Sequence, residues 1–199
     1  MEQQQAKEDL QFIRKVIEDS RRSVADNGMH YITWSICVAL GIIGTYTVAV
    51  SSLSPRTNLW VWIVFIGAGW IFSLIRGTSQ SSGKPKSFAR KMLSSIWVCT
   101  GITMTITAFA GIISGTIQPI ALPAVLSAIL AIPYFIASYI YNLNWFKTLA
   151  AGWWLGAIVF FFWQTPQTLA AFGILMIVLQ TIPGIYLYNK YGRQAREAA

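Results

Sequence analysis

Apolar positions in this chain fall in long blocks rather than in alternation. After a polar opening of nearly thirty residues, apolar runs cover about 29–52, 58–75, 92–115, 119–141, 147–163 and 168–188, and short polar stretches separate them. Crossing the hydrocarbon of a bilayer takes roughly 20 mostly apolar residues as a helix. Each of the six runs meets or approaches that length and is uncharged across its core. Lipid offers backbone amides no partner, so a spanning segment must be a helix or part of a closed barrel. A barrel needs period-two alternation, which runs such as ICVALGII lack. The pattern predicts an all-α integral membrane protein with six transmembrane helices paired as three helical hairpins.

The opening segment has a different period. Leu10, Ile13, Val16, Ile17 and Val24 recur at helical spacing, with Arg14, Lys15, Glu18, Arg21 and Arg22 elsewhere on the wheel. Asp9 can accept the orphan amides of the first turn, and Asn27-Gly28 supplies a left-handed stop. The expectation is an amphipathic cytoplasmic leader helix over 1–28. Its stripe of Leu10, Ile13, Ile17 and Val24 needs a cover, which lipid headgroups, the protein's own loops or another chain could each provide.

Charge orients the array. The chain has 15 Lys and Arg against 7 Asp and Glu. Cytoplasmic loops retain basic residues because those side chains cross a bilayer at high cost. With both termini cytoplasmic, residues 1–28, the 76–91 loop, the 142–147 turn and the 189–199 tail hold every Lys and Arg except Arg56. Lys84, Lys86, Arg90 and Lys91 make 76–91 a basic loop suited to anionic headgroups or to a partner. Only 11% of the chain is charged and 55% is hydrophobic, against roughly 25% charged in soluble domains. The net charge of +8 therefore reads as membrane topology and not as nucleic-acid binding. An inner-membrane location follows as the expectation.

The acids are Glu2, Glu8, Asp9, Glu18, Asp19, Asp26 and Glu197, so no carboxylate side chain lies between Asn27 and Arg196. Proton coupling, hydrolysis and most metal chemistry need a carboxylate, a histidine or a thiolate. The single histidine, His30, stands where the first span begins, as an interfacial residue. Cys37 and Cys99 lie in apolar runs without a CxxC or Cys/His grouping and read as small hydrophobes. We expect no enzyme and no cofactor. Thr100, Thr103 and Thr107 stand at i, i+3 and i+7, and Gln180 is the most polar side chain deep in the last span. Pro133 and Pro183 each remove a helical hydrogen bond. Together these residues could line a small polar cavity, or could serve only as interhelical hydrogen bonds and kinks. Gly41 and Gly44, and Gly152 and Gly156 in GWWLG, offer close helix packing within a chain or between chains.

Internal similarity is limited. Ile132-Pro133 matches Ile182-Pro183, and YIYN at 139–142 matches YLYN at 186–189. DLQFIRKVIEDSRRSV followed by HYITWSICVALGIIGTYTV resembles the start of small uncharacterised bacterial multi-span membrane proteins, with a short leader helix before a Gly-rich first span. In architecture, three tandem hairpins are similar to the six-span acid-resistance membrane protein family, although that family's repeated glycine pattern is not clear here. Neither resemblance supplies functional residues. The expected function is that of a non-enzymatic scaffold, accessory or sensory subunit acting through the leader helix and basic loop. Its partners would be the bilayer and a second copy or another membrane protein. The alternative is a channel or facilitator for a neutral or apolar solute.

Overall fold

The computed structural model describes residues 28–54, 56–79 and 88–197, with side chains for 28–54, 56–76 and 91–190. The leader stripe of Leu10, Ile13, Ile17 and Val24 lies outside the described residues, as do Lys84, Lys86 and the side chain of Arg90. Among the described residues every regular element is helical, and six helices are long and apolar enough to cross a membrane. These are α1 (Gly28–Val50), α2 (Thr57–Ser79), α3 (Phe88–Ile113), α4 (Leu122–Ile140), α5 (Trp145–Phe162) and a sixth span. The sixth is built from α6 (Gln167–Met176), a π turn at Ile177–Thr181 and α7 (Ile182–Glu197). The segment read as a basic loop is helical at both ends, since α2 reaches Ser79 and α3 starts at Phe88. The tail read as 189–199 is helical as far as Glu197. Lys91 is exposed in the first turns of α3.

The helix ends show why the chain turns where it does. α3 stops at Gly115, whose φ of +73° suits a residue without Cβ, and the Ile117 amide reaches back to the Gly111 carbonyl at 2.9 Å. α4 ends in the same way at Asn142, φ 54°, with the Leu143 amide on the Ser138 carbonyl at 3.0 Å. Asparagine tolerates that left-handed conformation better than other side chains do. Before α6, the Thr168 hydroxyl donates to the Trp163 carbonyl (2.6 Å) and accepts from the Thr165 amide (3.1 Å), which ties the loop to the helix.

The core sits on α4. Its buried face carries Ala124, Ala131 and Ala137, and the facing side of α5 carries Ala150 and Ala157. Small side chains let the two backbones approach, which is the usual route to tight packing in lipid, where oil gives no hydrophobic drive between helices. Larger groups fill the seam: Tyr134, Phe146 and Trp153 are fully buried, and the Tyr134 and Trp153 rings stack 6.4 Å apart. Trp153 reaches the sixth span at Phe172, ring to ring at 5.9 Å. Gly152 and Gly156 of α5 lie against Leu179 and Leu175. On the far side α1 crosses α7 at Gly28 and Gly184, where a Cβ on either residue would come within 3 Å of the other's carbonyl oxygen. α4 runs unbroken through Pro133, whereas Pro183 follows directly on the π turn, so the two Ile-Pro pairs act differently.

Candidate functional site

α1, α2 and α3 do not close on α4 as α5 does. Between them lies a cavity of about 540 Å³, within the range of small-molecule sites, about 300–1,000 Å³. One end is marked by His30, Arg76 and Ser94, and the other by Asn58, Ile112 and Pro119. Ser94 to Ile112 alone spans about 27 Å of helix, close to the thickness of a hydrocarbon core. The wall is aliphatic and aromatic, with Trp34, Trp62, Trp70 and Trp97 as its largest surfaces.

Three of those tryptophans are held by one repeated device. Trp62 of α2 lies over Gly41 of α1, Trp34 of α1 over Gly69 of α2, and Trp70 of α2 over Gly101 of α3. In each case a hydroxyl four residues after the glycine accepts the indole N–H. Trp62 Nε1 donates to Thr45 Oγ1 at 3.0 Å, Trp34 Nε1 to Ser73 Oγ at 3.1 Å, and Trp70 Nε1 to Thr105 Oγ1 at 3.2 Å. The same hydroxyls turn toward the carbonyls of their own glycines: Thr45 to Gly41 (3.0 Å), Ser73 to Gly69 (2.8 Å) and Thr105 to Gly101 (2.7 Å). The glycine makes room for the ring and the Ser or Thr satisfies its one polar atom. An indole N–H usually finds a partner where it packs between helices, and in lipid such a bond contributes about 0.6 kcal/mol. Thr45 also approaches Asn58 Oδ1 at 2.8 Å, which fixes the α1–α2 end of the cavity.

A fourth group is unlike these. Tyr31, Trp97 and Gln180 all line the cavity, from α1, α3 and the π turn. Tyr31 Oη, Trp97 Nε1 and Gln180 Oε1 are covered and have no hydrogen-bond partner. Tyr31 is 1% exposed and Gln180 3%. Gln180 is anchored through Nε2, which donates to the Tyr31 carbonyl at 3.3 Å. The Tyr31 and Trp97 rings meet edge to face at 4.9 Å, and Tyr134 packs on both at 5.5 and 5.4 Å. Trp97 Nε1 lies near the Tyr31 hydroxyl but outside hydrogen-bonding geometry.

Of the residues expected at a polar cavity, Thr100 and Gln180 are on the wall, the Thr100 hydroxyl being turned to the Ile96 carbonyl at 2.8 Å. Thr103 is exposed on the outer face of α3 and Thr107 is half-buried, while Pro133 and Pro183 are buried away from the lining. Gly41, Gly44, Gly152 and Gly156 each abut a side chain of a neighbouring helix. Gly69 does too, whereas nothing stands within 4 Å of a Cβ built on Gly67. His30 is half-buried, its ring 6.2 Å from that of Trp34. Cys37 is buried and Cys99 exposed, each as a free thiol. Among the described residues no group of His, Cys, Asp or Glu could hold a metal ion. The tryptophan seats were legible as Gly-x-x-x-Ser/Thr at 41–45, 69–73 and 101–105, a spacing that names the seat but not the ring that fills it.

Comparison of the chain with protein-family models, with curated proteins and with solved structures finds no match.

Proposed function

We propose that this protein is a non-enzymatic, multi-pass protein of a bacterial inner membrane that takes a small, largely apolar and uncharged molecule into the cavity between α1, α2, α3 and α4 and eases its passage or presents it to a partner. The reading includes the orientation drawn from charge, with both termini cytoplasmic and the spans taken as three hairpins. The observation that carries it is the cavity itself, a length of aromatic wall comparable to the bilayer core, three of whose four tryptophans are individually seated. The π turn supports it. Irregular backbone at membrane depth is tolerated chiefly where it is buried in protein or lines a cavity, and π turns gather at functional sites. Residue 180, in that turn, is on the cavity wall.

The rival reading, a scaffold or sensory subunit acting through the leader helix and the basic loop, rests mainly on segments outside the described residues. One experiment separates the two. Wild type and Ala108→Trp, which places a large ring in the cavity from α3, are purified in native nanodiscs and their bound molecules identified by mass spectrometry. The expected result is a small molecule held by the wild type and absent from the variant. A stoichiometric polypeptide retained by both proteins, with nothing in the cavity of either, would favour the scaffold.

A further inference from the structure

The seams between the helices around the chamber are not equally closed. Between α1 and α2, the Thr45 hydroxyl takes the Trp62 N–H and approaches Asn58 Oδ1, Ser73 takes the Trp34 N–H, and Val61 fills the side at Gly44. α1 meets the sixth span backbone to backbone at Gly28 and Gly184, and again where the Gln180 amide donates to the Tyr31 carbonyl. α3 meets α4 through the Trp97 and Tyr134 rings, edge to face at 5.4 Å, and α4 joins the sixth span through Trp153. Among the described residues, α2 and α3 are hydrogen-bonded at one place, Trp70 Nε1 to Thr105 Oγ1 at 3.2 Å, over Gly101.

The flanks on either side of that place are open. Trp70 shares a face of α2 with Ile63, Gly67 and Leu74, at i−7, i−3 and i+4. Ile63 and Leu74 are exposed, and a Cβ on Gly67 would meet nothing within 4 Å. From Ile63 to Trp70 is about 10 Å of helix. On α3, Val98, Gly101 and Thr105 follow the same spacing and all line the chamber, as does Trp70 itself. The seat that joins the two helices is therefore also a piece of the chamber wall.

We infer that the α2–α3 seam is a side entrance to the chamber, latched by Trp70, and that the ligand is a lipophile delivered from the hydrocarbon of the bilayer. This deepens, and rests on, the proposal that the cavity is a binding site. The seam presents Ile63, Gly67, Leu74 and Val98, so an uncharged molecule meets no charged side chain there, and a charged one would find no counter-ion. Hydrogen bonds between membrane helices are weak, so one indole leaving one hydroxyl is a small barrier. Thr105 is not orphaned when the ring leaves, because its hydroxyl keeps the Gly101 carbonyl at 2.7 Å. The α1–α2 seam, held at both Thr45 and Ser73, stays shut meanwhile.

The test uses the full chain in phosphatidylcholine nanodiscs with two photoreactive probes. One is a phosphatidylcholine with a diazirine in mid-chain, anchored by its head group. The other is hexadecane bearing the same diazirine, free to enter by any route. Adducts are mapped by peptide mass spectrometry after irradiation. In the wild type both probes are expected to label Met104 and Ala108, which line the chamber, as well as Ile102 and Ile106, which are exposed outside it. Gly67→Trp, a ring set in the open flank beside the latch, should lose the anchored lipid's adducts on Met104 and Ala108 and keep those on Ile102 and Ile106. Thr105→Val, which keeps the shape of the seat and removes the latch's acceptor, should raise the chamber adducts about threefold, the factor equivalent to one interhelical hydrogen bond. Labelling of Met104 by the free probe alone, or anchored-lipid adducts there that neither variant changes, would overturn the side entrance and leave the cavity reading intact. Absence of chamber adducts from both probes would remove the cavity reading, and the entrance with it.

Discussion

α4 and α5 are packed through alanine, whereas α1, α2 and α3 meet through tryptophan laid on glycine. In the most apolar stretch of each span, 44% of α4 and 33% of α5 is buried inside the protein, against 6% of α2 and 0% of α3, while α1, which also packs on the sixth span, is 33% buried. Hydropathy does not explain this, since α2 and α3 are as apolar as the sixth span. The difference lies in side-chain shape. Alanine on both faces lets α4 and α5 close along their length. An indole on a glycine fixes two helices at one point and holds them apart on either side, so a series of such points leaves a space. One part of the molecule holds the core and the other encloses a chamber.

That contrast can be broken most sharply at two tryptophans. Trp153→Ala, in the closed half, should cost about 3–5 kcal/mol, measured by denaturant unfolding in mixed micelles. Trp97→Ala, at the chamber wall, should cost distinctly less, because part of the ring already borders empty space. Equal losses would mean that the halves are packed alike. Smaller effects are expected from the glycines. A methyl at Gly28 would stand 2.7 Å from the Gly184 carbonyl oxygen and 2.8 Å from the Tyr188 amide nitrogen, both backbone atoms that cannot swing aside. Gly28→Ala should therefore lose about 1–3 kcal/mol in the same assay. Gly67→Ala, with nothing within reach, should lose nothing and gain the helical preference of alanine. The smallest effect is at a seat. Thr105→Val keeps the shape but removes the acceptor of Trp70, with an expected loss of about 0.6 kcal/mol, typical of hydrogen bonds between membrane helices. A red-shifted or quenched indole emission would report the loosened ring, and unchanged stability and emission together would show that the seat is not used.

The six long helices were legible because the signal is local: an uncharged run of sufficient length can satisfy its backbone in lipid only by coiling. The ends of α2, α3 and α7 were less so, since residues beyond the apolar run, up to Ser79, from Phe88 and out to Glu197, continue the helix at no cost in desolvation. The chamber was harder to read. Polar residues deep in a span attract attention, and Thr100 and Gln180 drew it, but Thr103 and Thr107 share their helix and lie off the wall. Which face of a helix turns inward depends on its neighbours, and α3 has little amphipathic pattern to declare it. Tryptophan is common at the ends of membrane spans, which disguises the rings that line the interior, such as Trp34, Trp62 and Trp70. Each gains its meaning from a glycine and a hydroxyl on another helix, a pairing that no single window of sequence contains.

Thr168, Phe172, Met176, Gln180 and Gly184 are all buried and recur every fourth residue. On an ordinary α-helix such a row slides around the axis by about 40° at each step, because a turn takes only 3.6 residues. The wider π turn at Ile177–Thr181 takes up that slip. It restores the phase of the row, so that one helix can set the buried Gln180 amide on the Tyr31 carbonyl and, a turn later, a bare glycine against Gly28 of the same neighbouring helix.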